Sequence, residues 1–552
     1  MERISIPKLI EGSFKQNWDR PAFTDYQGLT LNYCDVAENV ARLHIFFSQI
    51  GIKKGDKIAI CGKNSSKWAI CCLSIMSYGA VIVPILHEFK ADNIHNIVSH
   101  SEAKILFVGD SIWRTLDNTL MNALACVVSI DRMQLLSCGT PDVEGAFAGI
   151  DAKYAELYPN GLHKGDILYN DVPQDEIAMI NYTSGSTGFS KGVMLPYRSL
   201  ENNRLFASQA VPFMKTGDSI VSMLPMAHMY GFSFEFFYEF TIGMHIYFLT
   251  RLPSPKIIFQ AFQEIKPKLI VAVPLVIEKI VKKNVMPKLQ TPSMRFLLKI
   301  PVIRNIIYRK VGKEMYMAFG GNFGQVIIGG AAFSQEVENL LAKAKFPYTV
   351  GYGATECGPI ITYSICNSFT PGSCGKPTVN MEVKVLSEDP QHIPGEIVCR
   401  GANVMLGYYK NPELTEQTID REGWMYTGDL GIIDKKGNLF IKGRSKNMLL
   451  GPSGQNIYPE EIEDRLNNMD YVCESLIIQQ DEKLVALVYP DFELTAKAGM
   501  LEDDVTAMME LHRTALNHVL PAYSQISKVV IRKEEFEKTP KKSIKRFLYQ
   551  PK

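Results

Sequence analysis

The chain has 552 residues, more than one hydrophobic core usually holds, since single cores rarely grow past roughly 250–300 residues. A content of 46% hydrophobic and 21% charged residues excludes disordered, collagen-like and coiled-coil classes. With 59 basic and 58 acidic side chains there is no global field to attract nucleic acid or an anionic membrane, so any anion must be bound locally. The eleven cysteines are scattered, with no CxxC pair, which points to neither a disulfide framework nor a zinc site and fits a reducing cytoplasm.

The N-terminal MERISIPKLIEGSF has no apolar core before a cleavage-like site, so no signal peptide is expected. Short β-rich runs then alternate with helical stretches: KIAIC near 57, SSKWAICCLSIMSY, AVIVPI, AKILFVGD near 103 and ACVVSID near 125. Such alternation predicts parallel strands with helical crossovers. The uncharged run Trp68–Leu86 has membrane-spanning length. Gly79 and Pro84 interrupt it and its second half is β-branched, so a buried helix followed by a buried strand is predicted.

The pattern resumes in IAMINYT before 183, SIVSML, HIYFLT, KLIVAVP and QVIIGGA near 325, predicting one or two doubly wound sheets. After about 375, short strands with Gly, Asp and Lys turns (EVKVL, GEIVCR, DKKGNLFIKGR) predict a small antiparallel, β-barrel-like subdomain. From 447 a compact α+β unit is predicted: NIYPEEIEDRLNNM as a helix, ESLIIQQDEKLVALVYP as a hairpin and MMELHRTALNHVL as an amphipathic helix. The expected organisation is an α/β N-terminal domain over 1–443, a hinge at about 444–446 and a mobile domain over 447–552.

The segment YTSGSTGFSKG, Tyr182–Gly192, packs three glycines and five Ser/Thr hydroxyls between two apolar runs. Glycines let successive N–H groups approach an anion, the hydroxyls add donors and Lys191 adds charge, so the loop is suited to phosphates. It is not a Walker A loop: the GxxxxGK[ST] spacing is absent, and VMLPY after Lys191 reads as a strand.

This string resembles the phosphate loop of the adenylate-forming superfamily: acyl-CoA synthetases, peptide-synthetase adenylation domains and beetle luciferases. The resemblance runs through the chain in the family's order, as LPMAHMYG at 224, GYGATE at 351, YTGDLG at 426, GRSKNM at 443 and NIYPEEIE at 456. It implies ATP, Mg²⁺ and CoA as the small molecules used, with Thr183, Ser184, Gly185, Ser186, Thr187, Gly188 and Lys191 on the phosphates. It further implies Glu356 and Thr187 toward Mg²⁺, and Thr355 on a nucleotide phosphate.

GYGATE follows the apolar strand PYTV, which places Tyr352, Gly353, Thr355 and Glu356 at a strand end, where open α/β sheets collect ligands. Tyr352 is suited to stack on adenine. By resemblance Asp429 and Arg444 take the ribose hydroxyls, and His228 stands at the mouth of the acyl site. Gly330 and Ala331 let adenine and the acyl carbonyl approach the backbone. The chain departs from the family at its end, where Thr539 is followed four residues later by Ser543 in place of a lysine. Either Lys542 reaches the α-phosphate after a one-residue shift, or adenylation is slow, or another residue serves.

The implied activity is ATP-dependent activation of a medium- or long-chain fatty acid to acyl-AMP and transfer to the CoA thiol. Aryl or short-chain acids, an acyl carrier protein as acceptor, and a low-turnover acyl-adenylate-binding protein are the alternatives. Rotation about Lys446 would admit the thiol. Peripheral membrane contact would suit a fatty substrate, but no strong basic amphipathic helix declares itself.

Overall fold

The computed structural model describes residues 4–184, 190–250, 254–450, 455–481, 483–539 and 543–550. Its largest sheet has eight strands in the order Gly407–Tyr408, Ser190–Pro196, Ile177–Ser184, Val81–Ile85, Lys57–Cys61, Ile105–Val108, Cys126–Ser129, Gln134–Cys138. The five strands from Ile177–Ser184 to Cys126–Ser129 are parallel, and antiparallel strands close both edges. Helices on the sheet bury the central strands on both faces, which is why KIAIC and VIVPI are apolar throughout rather than alternating. The run from Trp68 divides as expected, into a buried helix Ser66–Tyr78, a left-handed Gly79 (φ 83°) and the strand Val81–Ile85. No helix among the described residues is long and apolar enough to cross a membrane.

Parallel strands form two further sheets, not one. Ser219–Ser222, His245–Phe248 and Pro21–Asp25 run parallel and are closed by antiparallel Thr30–Asn32. Ile270–Ala272, Val326–Ile328 and Tyr348–Val350 make an all-parallel sheet with its own core of Ile258, Phe262, Ile277, Phe319, Val337 and Leu341. Beyond it, Met381–Leu386, Gly395–Gly401, Met425–Ile433 and Leu439–Arg444 form an antiparallel four-stranded sheet.

The C-terminal unit is a hairpin, Val472–Gln480 with Lys483–Pro490, joined in parallel by Ile526–Ile531. The helices Pro459–Asn467 and Glu502–Asn517 cover it, enclosing Ile462, Leu466, Ile477, Val505, Met509 and Leu516. The helix near 456 starts later than its apolar pattern suggests, because Asn456–Ile457 pairs as a short strand with Leu449–Leu450 and Pro459 then opens the helix. Contacts that join this unit to the rest of the chain include Lys282 Nζ donating to the Asn467 carbonyl at 3.0 Å, Ser334 Oγ 2.7 Å from Asn468 Oδ1, and Lys442 Nζ 3.0 Å from Glu461 Oε1.

Candidate active site

The hairpin of Ile177–Ser184 with Ser190–Pro196 pairs Tyr182 with Gly192, Thr183 with Lys191 and Ser184 with Ser190. Val193–Pro196 of VMLPY is thus strand, as its composition predicts, and Tyr197 opens the following helix. Gly185, Ser186, Thr187 and Gly188 lie outside the described residues, as does the Ser184 side chain. Lys191 leaves the second strand beside the Gly407–Tyr408 edge strand, its Nζ 5.4 Å from the centre of the Tyr408 ring. Tyr408 Oη in turn donates to Glu356 Oε1 at 3.0 Å. Burial, and next the charge of Lys446, push the Lys191 ammonium below its ordinary pKa, with Glu356 acting in the opposite sense. The strand hairpin and the GYGATE turn are therefore linked through Tyr408.

The GYGATE turn is fixed from several sides. The parallel strands Val326–Ile328 and Tyr348–Val350 end level with each other, Ile328 opposite Val350, so Gly329–Ala331 and Gly351–Tyr352 emerge at one edge. Gly353 cannot carry a side chain, because a Cβ there would lie 2.1 Å from the Pro359 carbonyl oxygen. Asn203 brackets the turn by donating to the Cys357 carbonyl (3.2 Å) and accepting from the Ile360 N–H (3.1 Å). The Met405 N–H donates to the Glu356 carbonyl at 2.9 Å. Thr355 is buried within the turn, and Gly330 (φ 89°) and Ala331 are exposed at the strand end.

Asp429 and Arg444 are cross-strand partners in the antiparallel sheet, Arg444 Nε 2.8 Å from Asp429 Oδ1. Tyr352 Oη donates to the other carboxylate oxygen at 2.6 Å. Burial raises the Asp429 pKa, and Arg444 and Tyr352 pull it back. His228 ends the turn before the helical segment Met229–Thr241. Its Nδ1 accepts from the Tyr230 N–H at 3.2 Å, and Asn181 Nδ2 ties the preceding Ala227 carbonyl to the Ile177–Ser184 strand at 3.0 Å. Tyr230 Oη donates to the Ile327 carbonyl at 3.1 Å, so this turn bridges the eight-stranded and three-stranded sheets.

The segment after His228 contains a π-helical turn, Ser233–Phe237, and two fully buried carboxyls. Glu235 Oε2 accepts the N–H groups of Met223 (2.9 Å) and Leu224 (2.8 Å). Among the described residues neither Glu239 carboxyl oxygen has a hydrogen-bond partner, and burial raises its pKa to about 8.

On either side of residues 540–542, Lys538 pairs with Glu474 of the C-terminal hairpin at 2.6 Å and Arg546 donates to the Ile477 carbonyl at 3.5 Å. The Thr539 N–H donates to the Ser543 carbonyl at 2.8 Å, and the Ser543 N–H lies 3.3 Å from Thr539 Oγ1. Arg546 grips both oxygens of Glu463 at 2.6 Å. Lys542 lies outside the described residues. Two participants, Tyr408 and Asn203, were not anticipated. The aromatic pair in GYYK was a signal for Tyr408; Asn203, in the middle of a helix, offered none.

A family model described as AMP-binding enzyme matches residues 10–409, most of the chain, and one described as AMP-binding enzyme C-terminal domain matches 447–550. The chain belongs to the AMP-binding enzyme family. Among similar proteins, a chloroplastic long-chain-fatty-acid–[acyl-carrier-protein] ligase of Arabidopsis thaliana is 26% identical to this AMP-binding enzyme, over 89% of this chain and 76% of that one. A long-chain-fatty-acid–CoA ligase of Escherichia coli O157:H7 is 25% identical, over 83% and 80%. In fold it resembles the crystal structure of an ATP-bound RpMatB–BxBclM chimera, with a TM-score of 0.76 at 20% identity over 99% and 98% of the two chains.

Proposed function

We propose that this AMP-binding enzyme activates a medium- or long-chain fatty acid with ATP, forming acyl-AMP and pyrophosphate, and passes the acyl group to the thiol of CoA. The observation that carries the reading is the link from Lys191 through Tyr408 to Glu356, in the same GYGATE turn as the Tyr352 that with Arg444 holds Asp429, in a chain of this family. Attack of a carboxylate on the α-phosphorus builds negative charge on the phosphates, which aimed cations and N–H groups must meet. Lys191 and the hydroxyl-rich loop from Thr183 to Gly188 answer that need on the departing pyrophosphate.

Glu356 is suited to hold Mg²⁺, which binds through one or two hard carboxylates together with substrate phosphates. Tyr408 orients that carboxylate, and the metal would supply charge neutralisation beside the leaving group. Asp429 accepts the ribose hydroxyls, Tyr352 packs on the base, Gly330 and Ala331 leave room for nucleotide and acyl carbonyl, and His228 borders the acyl entrance. The chain divides at 444–446, with Lys446 as the pivot that exchanges adenylation for thiol transfer. Fatty acyl chemistry draws support from the named activities of the two relatives, one of which uses a carrier protein in place of CoA. Ser543 favours one other reading, a low-turnover acyl-adenylate-binding protein.

The test is pyrophosphate release by the purified chain with ATP and Mg²⁺ across fatty, aryl and short acids, with CoA or acyl carrier protein as acceptor. Release dependent on medium- or long-chain acids, with an acyl-CoA product, supports the proposal. Release with aryl acids alone, or transfer to the carrier protein alone, overturns its substrate or its acceptor. Nucleotide binding without release, recovered in Ser543→Lys, would establish the low-turnover protein.

A further inference from the structure

Between Lys279 and Lys313 the chain carries ten lysines and arginines and no aspartate or glutamate, although its overall net charge is only +1. This stretch covers the three-stranded parallel sheet with the helices Pro292–Leu297 and Pro301–Ala318. Met294, Leu298, Ile307, Val311 and Met315 face the core beneath. The long helix is fixed in rotation at Gly312, where a Cβ would lie 2.1 Å from the Ala344 carbonyl oxygen.

The opposite face is therefore held outward, and it is apolar: Phe296 is 68% exposed, Val302 70%, Ile306 62% and Ile300 39%. Exposed Arg295, Lys299, Arg304, Arg309, Lys310 and Lys313 surround these side chains. Sequence periodicity hides the arrangement, because apolar residues occupy both faces of the long helix and Pro292 and Pro301 break the register.

We propose that this face seats the protein on an anionic phospholipid surface. Branched aliphatic and phenyl side chains ringed by cations are what an interfacial segment presents, the apolar groups entering the acyl boundary while the cations meet phosphates. A soluble nucleic acid would leave Val302, Ile300 and Ile306 without partners, since such sites use aromatic stacking on bases. Beside the face, in the seam where Gly312 meets Ala344, a depression of about 350 Å³ carries Arg309, Lys313 and Lys345 on its wall, cations within reach of a phosphate headgroup.

Flotation of the full chain with vesicles tests this without turnover. Vesicles of phosphatidylcholine alone are compared with phosphatidylcholine carrying phosphatidylglycerol, at low and high salt. The protein is expected to float with the anionic vesicles and to be released by salt. Phe296→Ser/Val302→Ser/Ile306→Ser should weaken binding about tenfold, and Arg295→Gln/Lys299→Gln/Arg304→Gln roughly a hundredfold. Both variants change outward side chains, and an unaltered circular-dichroism melt certifies their folding; should the serine variant not fold, the glutamine variant and the salt series decide. Failure of the native protein to float, or unchanged binding by the folded variants, overturns the proposal. Loss in the glutamine variant with full binding in the serine variant also overturns it, in favour of a soluble polyanionic partner.

Discussion

Asp429 and Arg444 sit opposite each other on adjacent antiparallel strands, with Nε and Oδ1 2.8 Å apart, while Tyr352 Oη holds the second carboxylate oxygen at 2.6 Å. A carboxylate committed to two internal partners is aimed before any ligand arrives, and strand pairing sets that aim rather than a loop.

Asp429→Ala removes the proposed ribose acceptor and leaves Tyr352 without its partner. It should raise the KM for ATP by roughly ten- to a hundredfold, as loss of charge-assisted hydrogen bonds implies. Tyr352→Phe keeps the ring and loses only the hydrogen bond, so about a fivefold rise is expected. Pyrophosphate-release kinetics at saturating acid would measure both, and an unchanged KM in Asp429→Ala would remove the ribose role.

Glu356→Gln keeps shape and the acceptor for Tyr408 but loses the charge proposed for Mg²⁺. The expected result is a loss of roughly a hundredfold in kcat with a higher Mg²⁺ requirement. Tyr408→Phe should show the same trend in milder form, because it frees the carboxylate to rotate without neutralising it. A magnesium titration of each variant distinguishes the two effects.

At the C-terminus, Lys542→Ala should lower pyrophosphate release about a hundredfold if that lysine supplies the α-phosphate charge, and Lys541→Ala should not. Equal activity of both variants would leave Ser543 as a real vacancy in the charge set. In that case Ser543→Lys should accelerate adenylation.

Glu239 predicts a pH dependence of stability. Its folded pKa, about 8, lies above the ordinary carboxyl value of 4.5, so between these values the folded protein holds a proton that the unfolded chain releases. Its contribution is thus fully present below about 4.5 and fades as pH rises to about 8, by about 1.4 kcal/mol per unit. Glu239→Gln cannot ionise, and the gap between variant and native stabilities should widen in the variant's favour across that window. Chemical denaturation at pH 5 and pH 7, both within the window, would measure it, and parallel curves would show that Glu239 is ionised in the fold.

Much of this was legible in the chain itself. KIAIC, VIVPI and ILFV are apolar on both faces because helices cover both. KLIVAVP, QVIIGGA and PYTV were legible as strands, but not that they pair with one another in a sheet of their own, because strand partners are chosen by tertiary packing and not by each run's composition. In the candidate site, Tyr352, Asp429 and Glu356 could be named from their motifs, but not the partners that aim them. Tyr408 reaches Glu356 across 52 residues of sequence, and Lys446 influences Lys191 from more than two hundred residues away. Such pairings are products of strand order, which composition does not encode.

The C-terminal unit is fastened through polar side chains, the Lys442–Glu461 ion pair among them. Lys282 to the Asn467 carbonyl and Ser334 to Asn468 are side-chain hydrogen bonds, worth about 1 kcal/mol each in water. The unit meanwhile keeps a separate apolar interior around Leu466, Ile477 and Met509. That interior is built from the unit's own residues. If the unit pivots as proposed, tightening such contacts should hold the enzyme in one half-reaction while leaving the unit's own core unchanged.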